Sequence, residues 1–161
     1  MERHVAGFFC RPGHPLLERK KRSVADIVKY PWCCTRLPRA YSQYLPEKLE
    51  NAGKIDSLTG YFIPAIELDL VYEMAEIVSM TDVLGLAPLL MFRNELENGM
   101  LAMLPFRKKW LQTNYSIIYL RHRNPSPAAL AFIEEVRNIE QELFTLELGL
   151  TAKVLGEVSF T

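Results

Sequence analysis

The middle of the chain alternates short apolar runs with amphipathic segments. Phe62 to Leu68 forms a mostly apolar run that is typical of a buried strand. Residues 71–78 place apolar side chains at three- and four-residue steps, which predicts a helix with one apolar face. The apolar run 83–87 predicts another strand, and residues 89–98 predict a helix that ends at Gly99, a good left-handed stop. Strands that are apolar on both faces need helices on both sides, so the pattern predicts an α/β domain with a mainly parallel sheet.

The N-terminal third follows the same alternation. Val5 to Cys10 predicts a strand, and Ser23 with Asp26 forms a capping-box variant at the start of a short helix. Trp32 to Thr35 predicts a short buried strand. Residues 46–53 predict a further helix, because a proline suits its first turn and a glycine suits its end.

The C-terminal third contains two predicted strands and one long helix. Met100 to Phe106 is an apolar exit strand, and Tyr115 to His122 is rich in the β-branched and aromatic residues that favour strands. Ser126 and Pro127 are a strong helix start, as N-cap and first helical residue. The apolar stripe then predicts a helix to about Leu148, ended by the glycine that follows, and the tail predicts either a short strand or disorder.

Composition limits the classes of function. The chain has 161 residues, 49% of them apolar, which is enough for one domain with a sizeable core. Lys and Arg number 19 and so do Asp and Glu, and this neutral balance argues against nucleic-acid binding by this chain alone. No apolar run approaches the roughly 20 residues that cross a bilayer, so we expect no membrane association. A small ligand or a protein partner is compatible with all of these features.

The reactive side chains predict neither a disulfide nor an enzyme. Cys10, Cys33 and Cys34 are odd in number, and the polar start of the chain does not resemble a signal peptide, so we expect a reduced, cytoplasmic protein. The cysteines and the three histidines lack metal-ligand spacing, and none of them lies in a nucleophile motif. The sequence also has no glycine-rich phosphate loop, so we expect no cofactor, no metal and no catalysis.

Four segments, in order, carry the motifs of a known family. Residues 11–32 contain a His-Pro-Leu turn, a short helix and a Tyr-Pro-Trp that opens a strand. The central segment has Val78, Gly85, Leu86 and Pro88 at the expected places, residues 97–106 give a Gly-x-Leu-x-x-Leu-Pro exit strand, and residues 117–139 contain a Ser-Pro-Ala-Ala helix start. Together these motifs resemble the effector-binding domain of LysR-type transcriptional regulators over about residues 5–143.

The resemblance implies a type 2 periplasmic-binding-protein-like lobe with a mainly parallel sheet flanked by helices. Residues 1–106 would be the second lobe, residues 107–148 the strand and helix that return to the first lobe, and residues 149–161 a C-terminal tail. The implied function is to couple a small-molecule effector to transcription, as a homodimer that contacts DNA only through a helix-turn-helix domain absent from this chain. Thr81 and Asp82 stand where the family commonly has a glycine-containing turn.

By position, the resemblance also implies effector contacts at the ends of two strands. These are Cys34, Thr35 and Arg36 after the tryptophan strand, and Ile66, Glu67 and Asp69 before the central helix. A helix N-terminus favours an anionic ligand group, whereas two acidic residues beside it oppose one, so a polar or cationic ligand group is an equal alternative. Asp69 is alternatively only a helix cap, and Tyr41 and Tyr44 either line a cleft or cover the sheet.

The second hypothesis is an interaction module without a working ligand cleft. Most of the first lobe is missing from the resemblance, so Tyr115 to Leu143 would expose apolar edges that recruit partners.

Overall fold

The computed structural model describes residues 2–120, 122 and 124–155, without the side chains of Val71 and Leu155. The strands are β1 (Arg3–Cys10), β2 (Trp32–Cys34), β3 (Gly53–Ile55), β4 (Phe62–Pro64), β5 (Ile66–Glu67), β6 (Leu84–Pro88), β7 (Ala102–Met103) and β8 (Gln112–Asn114). The helices are α1 (Val24–Ile27), α2 (Arg39–Ser42), α3 (Val71–Met80), α4 (Arg93–Glu97) and α5 (Pro127–Leu155), with a 3-10 helix at Leu89–Phe92.

Six strands form one sheet in the order β5-β2-β6-β1-β7, with β8 on β1. Strand β2 lies between β5 and β6 and is parallel to both. Strand β1 is antiparallel to β6, β7 and β8, so it is the one strand of this sheet that runs in the opposite direction. The prediction of an α/β fold whose main sheet has most of its strands running in the same direction is confirmed. The remaining strands, β3 and β4, form a separate antiparallel hairpin.

Aromatic side chains fill the core around β1 and β2. The Trp32 ring lies 4.6 Å from Phe8 and 5.1 Å from Phe62, and Phe9 lies 4.8 Å from Phe92. All five side chains are buried, and aromatic pairs with edge-to-face or tilted rings stabilise a core beyond their buried area.

Helix α3 approaches the sheet closely because β6 carries Gly85. A Cβ at that position would lie 3.1 Å from Met74 Sδ and from Val78 Cγ2. Both of these helix side chains are buried. The close approach fixes the start of α3 next to the ends of β2 and β5.

Three predicted helix termini are confirmed. Ser23 and Asp26 form the full capping box of α1, and Gly99 has a φ of 76° directly after α4. Ser126 accepts a hydrogen bond from the Ala129 N–H at 3.2 Å, as expected of the N-cap of α5.

The predicted helix at residues 46–53 is wrong, because this segment uses its backbone groups for tertiary hydrogen bonds. Asn51 and Ala52 both donate to the Val28 carbonyl at 3.1 Å. The Ala52 carbonyl accepts from Trp32 and Ala65. The segment is a turn in which Leu49 and Ala52 are buried, and the helical turn lies earlier, at α2.

The predicted strand from Phe62 to Leu68 is divided in two. Residues 62–64 pair with β3, whereas residues 66–67 pair with β2 of the main sheet. The direction changes at Ala65, whose N–H bonds the Ala52 carbonyl. The predicted exit strand at residues 100–106 is likewise reduced to β7.

The strand predicted at Tyr115 to His122 is wrong for the residues that the structure describes there, which are all but 121. Its place beside β1 is taken by β8, which pairs Asn114 with Arg3. Strand β1 begins at Arg3, so among the described residues no strand lies beside the segment that follows Asn114. Ile118 and Tyr119 are accordingly exposed.

The predicted end of helix α5 at about Leu148, with Gly149 as the stop, is wrong. The helix continues to Leu155. A glycine inside a helix costs only about 1 kcal/mol relative to alanine. Beyond it, Leu150 is buried and Val154 packs against the core, which offsets that cost. The predicted strand or disorder of the tail is therefore wrong for residues 149–155, and residues 156–161 lie outside the described part.

A buried polar cluster fastens α5 to the start of β1. Glu140 and Glu147 are seven residues apart, so they project from the same face of the helix. The buried His4 ring has Nδ1 at 2.8 Å from a Glu147 oxygen and Nε2 at 3.4 Å from a Glu140 oxygen. The Glu147 carboxylate also accepts a hydrogen bond from the Val5 N–H, and the Glu140 carboxylate accepts one from the Glu2 N–H.

We expect Glu147→Ala to lower the free energy of unfolding by about 3 kcal/mol, because the buried His4 ring and the Val5 N–H lose their partner. Urea denaturation followed by circular dichroism measures the change. Glu142→Ala, on an exposed position of the same helix, is the matched control and should shift the midpoint very little. Equal midpoints for the two variants would contradict the structural role of the cluster.

Candidate functional site

Three parallel strands end at the same edge of the main sheet. The register pairs Cys33 with both Ile66 and Gly85, which places the ends of β2, β5 and β6 side by side. Helix α3 begins just after β5, and the 3-10 helix begins just after β6. In α/β sheets this edge is where ligands bind, since loops and helix N-termini converge there.

A cavity of about 370 Å³ opens at this edge. Thr35 and Asp69 line it from the ends of β2 and β5, and Met91 lines it from the 3-10 helix after β6. The opposite wall comes from α2 and the segment around β8, through Tyr41 and Trp110. Segments far apart in the sequence therefore enclose one small, mostly apolar space.

The six residues predicted from the family resemblance fall into two groups. Thr35 and Asp69 line the cavity. The other four do not, and two of them, Arg36 and Glu67, form an exposed ion pair with Nε and Oε1 2.6 Å apart. Cys34 is buried and Ile66 packs half-buried against the core. A role of any of the six in effector binding stays a prediction.

Asp69 is not the helix cap that the sequence suggests. The N-cap of α3 is Leu70, and no side chain makes a capping hydrogen bond there. The Asp69 carboxylate is therefore not engaged in a cap at the cavity wall.

The aromatic wall could be recognised only in part from the sequence. Tyr41 lines the cavity, so it takes the first of its two predicted roles. Tyr44 instead stacks on the Trp110 ring at 5.6 Å with an angle of 8° between the planes. Trp110 and Tyr115 also line the cavity. No sequence pattern indicated this role, because the position of both residues depends on the pairing of β8 with β1.

The cavity wall is acidic where it is charged. No Lys, Arg or His is among the cavity-lining residues in the part of the chain that the structure describes, whereas Asp69 is. Arg36 lies nearby, and its hydrogen bond to Glu67 raises the pKa of the guanidinium further above its ordinary range. Arg36 is exposed beside Glu67 and is not among the cavity-lining residues.

The cysteines are poorly suited to be nucleophiles. All three are free and buried, and burial raises the pKa of Cys33 to about 11 and that of Cys10 to about 12. Burial raises the pKa of Cys34 as well. A thiolate is the reactive form, so these environments suppress reactivity.

Metal and membrane features give no further candidate. Among the described residues, no group of three or more His, Cys, Asp or Glu side chains could hold a metal ion. Within the same part of the chain, no helix has the length and apolar character needed to cross a membrane.

The fold and the cavity together define an α/β domain with a cavity at the carboxyl edge of its main sheet. A family model for the LysR substrate binding domain matches residues 4–140. The SDS degradation transcriptional activation protein of a Pseudomonas species is 34% identical over 127 residues, which cover 76% of this chain and 39% of that protein. The chain belongs to the LysR substrate-binding domain family, and it spans about two fifths of the length of this curated relative.

Two solved structures share the fold. The effector domain of the transcriptional regulator AmpR of Pseudomonas aeruginosa gives a TM-score of 0.51 at 20% identity, over 85% of this chain and 62% of that one. An effector binding domain of Citrobacter freundii with three substitutions gives 0.50 at 18% identity, over 84% and 64%. The expected similarity to LysR effector domains is confirmed at the level of the fold.

We expect a thiol reagent at pH 8 to leave all three cysteines of the folded chain unmodified. A thiol pKa of about 11 leaves only about one in 1,000 Cys33 side chains ionised at that pH. Mass spectrometry after timed labelling, with and without urea, counts the modified thiols. Three should react in urea, and labelling of the folded chain at the same rate would show that the thiols are not buried as described.

Proposed function

We propose that this chain binds a small-molecule effector in the cavity at the carboxyl edge of the sheet, and that binding controls transcription in a LysR-type regulator. The observation that carries the proposal is the cavity itself, because it combines strand ends with an aromatic wall from α2 and the β8 segment. Thr35 and Asp69 are proposed as direct effector contacts. Cys34, Arg36, Ile66 and Glu67 are proposed to support these contacts from outside the cavity.

The proposed mechanism uses the two walls of the cavity. A ligand that touches both Asp69 and Trp110 would hold the segment around β8 against the ends of the parallel strands. It would favour the arrangement in which these parts are close, and so shift the population toward that state. We propose that residues 107–148 form the returning part of a first lobe and residues 1–106 the second lobe, so that this closure is a movement between lobes.

The surrounding assembly is also proposed. We propose a cytoplasmic homodimer that reaches DNA through a helix-turn-helix domain outside this chain. An interaction module without a ligand cleft is the weaker hypothesis, because the cavity is formed. The exposed apolar side chains of α5, such as Phe132, suit contact with the rest of a first lobe.

The ligand is proposed to have an apolar body. Most of the cavity-lining residues are aliphatic or aromatic, among them Leu37, Met74, Leu86 and Trp110. The Pseudomonas relative is named for the degradation of SDS, an alkyl sulfate. Alkyl amphiphiles therefore belong in a first panel of ligands, together with aromatic acids and amino acids.

We expect a member of this panel to raise the melting temperature in a dose-dependent way. Trp110→Ala and Tyr41→Ala should each weaken its binding roughly tenfold, because each removes an aromatic wall. Isothermal titration calorimetry measures the affinity.

The matched control is Tyr72→Ala, which removes an exposed tyrosine of α3 that does not line the cavity. It should leave the affinity unchanged. Binding that survives both cavity variants, or equal losses in the control, would place the ligand elsewhere and contradict the proposed site.

A further inference from the structure

We propose that the cavity selects a ligand with an alkyl chain and an uncharged hydroxyl head, such as a primary alcohol, and discriminates against an anionic head such as a sulfate. This inference rests on the proposed function and concerns the same cavity. Its basis is the contrast between the apolar walls and the single charge that Asp69 brings to them.

The walls account for the alkyl chain. Met74 and Leu86 are buried behind the cavity, and Leu37, Met91 and Trp110 complete an apolar lining around it. Each methylene transferred from water into such a space contributes roughly fourfold to affinity. Affinity should therefore rise with chain length until the cavity of about 370 Å³ is filled.

The charge accounts for the rejection of anions. Asp69 is the one Asp or Glu among the described cavity-lining residues, and no described cation lines the cavity to offset it. The Arg36 guanidinium interacts electrostatically with Asp69, but it is bound to Glu67 at 2.6 Å and is not among the cavity-lining residues. A sulfate head inside the cavity would therefore meet a like charge with no described cation on the cavity lining, which is unfavourable.

The hydroxyl head is favoured over an ammonium for two reasons. A hydroxyl can donate to the Asp69 carboxylate and accept from the Thr35 hydroxyl, whereas an ammonium can only donate. The Asp69 charge attracts an ammonium, but this residue is exposed to water, so the attraction is screened and is smaller than the hydration that an ammonium loses on entering an apolar cavity. Asp69 and Thr35 lie on neighbouring strand ends, since β5 and β2 are paired just before them.

The test is calorimetric titration of the full chain with 1-decanol, decyl sulfate and decylamine, the two ionic amphiphiles below their micelle concentrations and the alcohol below its solubility limit. We expect 1-decanol to bind at least tenfold tighter than decyl sulfate and tighter than decylamine. Shortening the alcohol by two carbons should weaken binding by more than tenfold.

Asp69→Asn should lower the affinity for the alcohol severalfold and raise that for the sulfate, because the like charge is removed. Glu73→Gln removes one negative charge from the first turn of α3, outside the cavity, and should leave the preference unchanged. Circular dichroism verifies that both variants are folded.

The outcomes separate this inference from the proposed function. Tighter binding of decyl sulfate or decylamine than of 1-decanol, or an unchanged preference in Asp69→Asn, would overturn the head-group selection. If only another class of the panel binds and Trp110→Ala weakens it, the effector function stands and the alcohol is wrong. If neither these amphiphiles nor the panel bind, both proposals fail.

Discussion

The reversed strand β1 is the constraint on which the rest of the structure depends. It pairs with β6, β7 and β8, so it joins the parallel half of the sheet to the segments that follow residue 100. Its first residues also hold α5 through His4, whose ring lies between the carboxylates of Glu140 and Glu147. Buried charged groups are tolerated only where partners satisfy them, and here each carboxylate has both a ring nitrogen and a backbone N–H.

The cavity is a consequence of that arrangement. Because β1 runs against β6, its N-terminal part lies at the edge where the parallel strands end, with Ala6 opposite Pro88. Strand β8 pairs with the same part of β1 and brings Trp110 and Thr113 to that edge. Strand β1 therefore connects the wall formed by the ends of the parallel strands to the wall formed by the segment around β8. A change in the pairing of β8 with β1 would alter the cavity and leave the ends of β2 and β5 in place.

Local chemistry explains which parts of the fold were predictable from the sequence. The capping box at Ser23, the stop at Gly99 and the apolar stripe of α3 depend on residues close in the chain, and all are present. The failures depend on distant partners. Residues 46–53 lose their helix to hydrogen bonds with Val28, and residues 115–122 have strand propensity but no neighbouring strand among those described. For the same reason the ends of β2 and β5 could be located from a resemblance, whereas the aromatic wall could not.

The charges near the cavity show why position alone does not define a ligand contact. Glu67 and Asp69 are two residues apart, at the end of β5 and just beyond it, yet they lie in different environments. Glu67 is bound to Arg36 outside the cavity, whereas Asp69 lines the cavity and caps no helix. A helix N-terminus alone would favour an anion. Arg36 is bound to Glu67 and is not among the cavity-lining residues, whereas Asp69 places a negative charge on the lining, and that charge opposes an anion. The electrostatic preference of this edge therefore follows from which carboxylate the arginine binds.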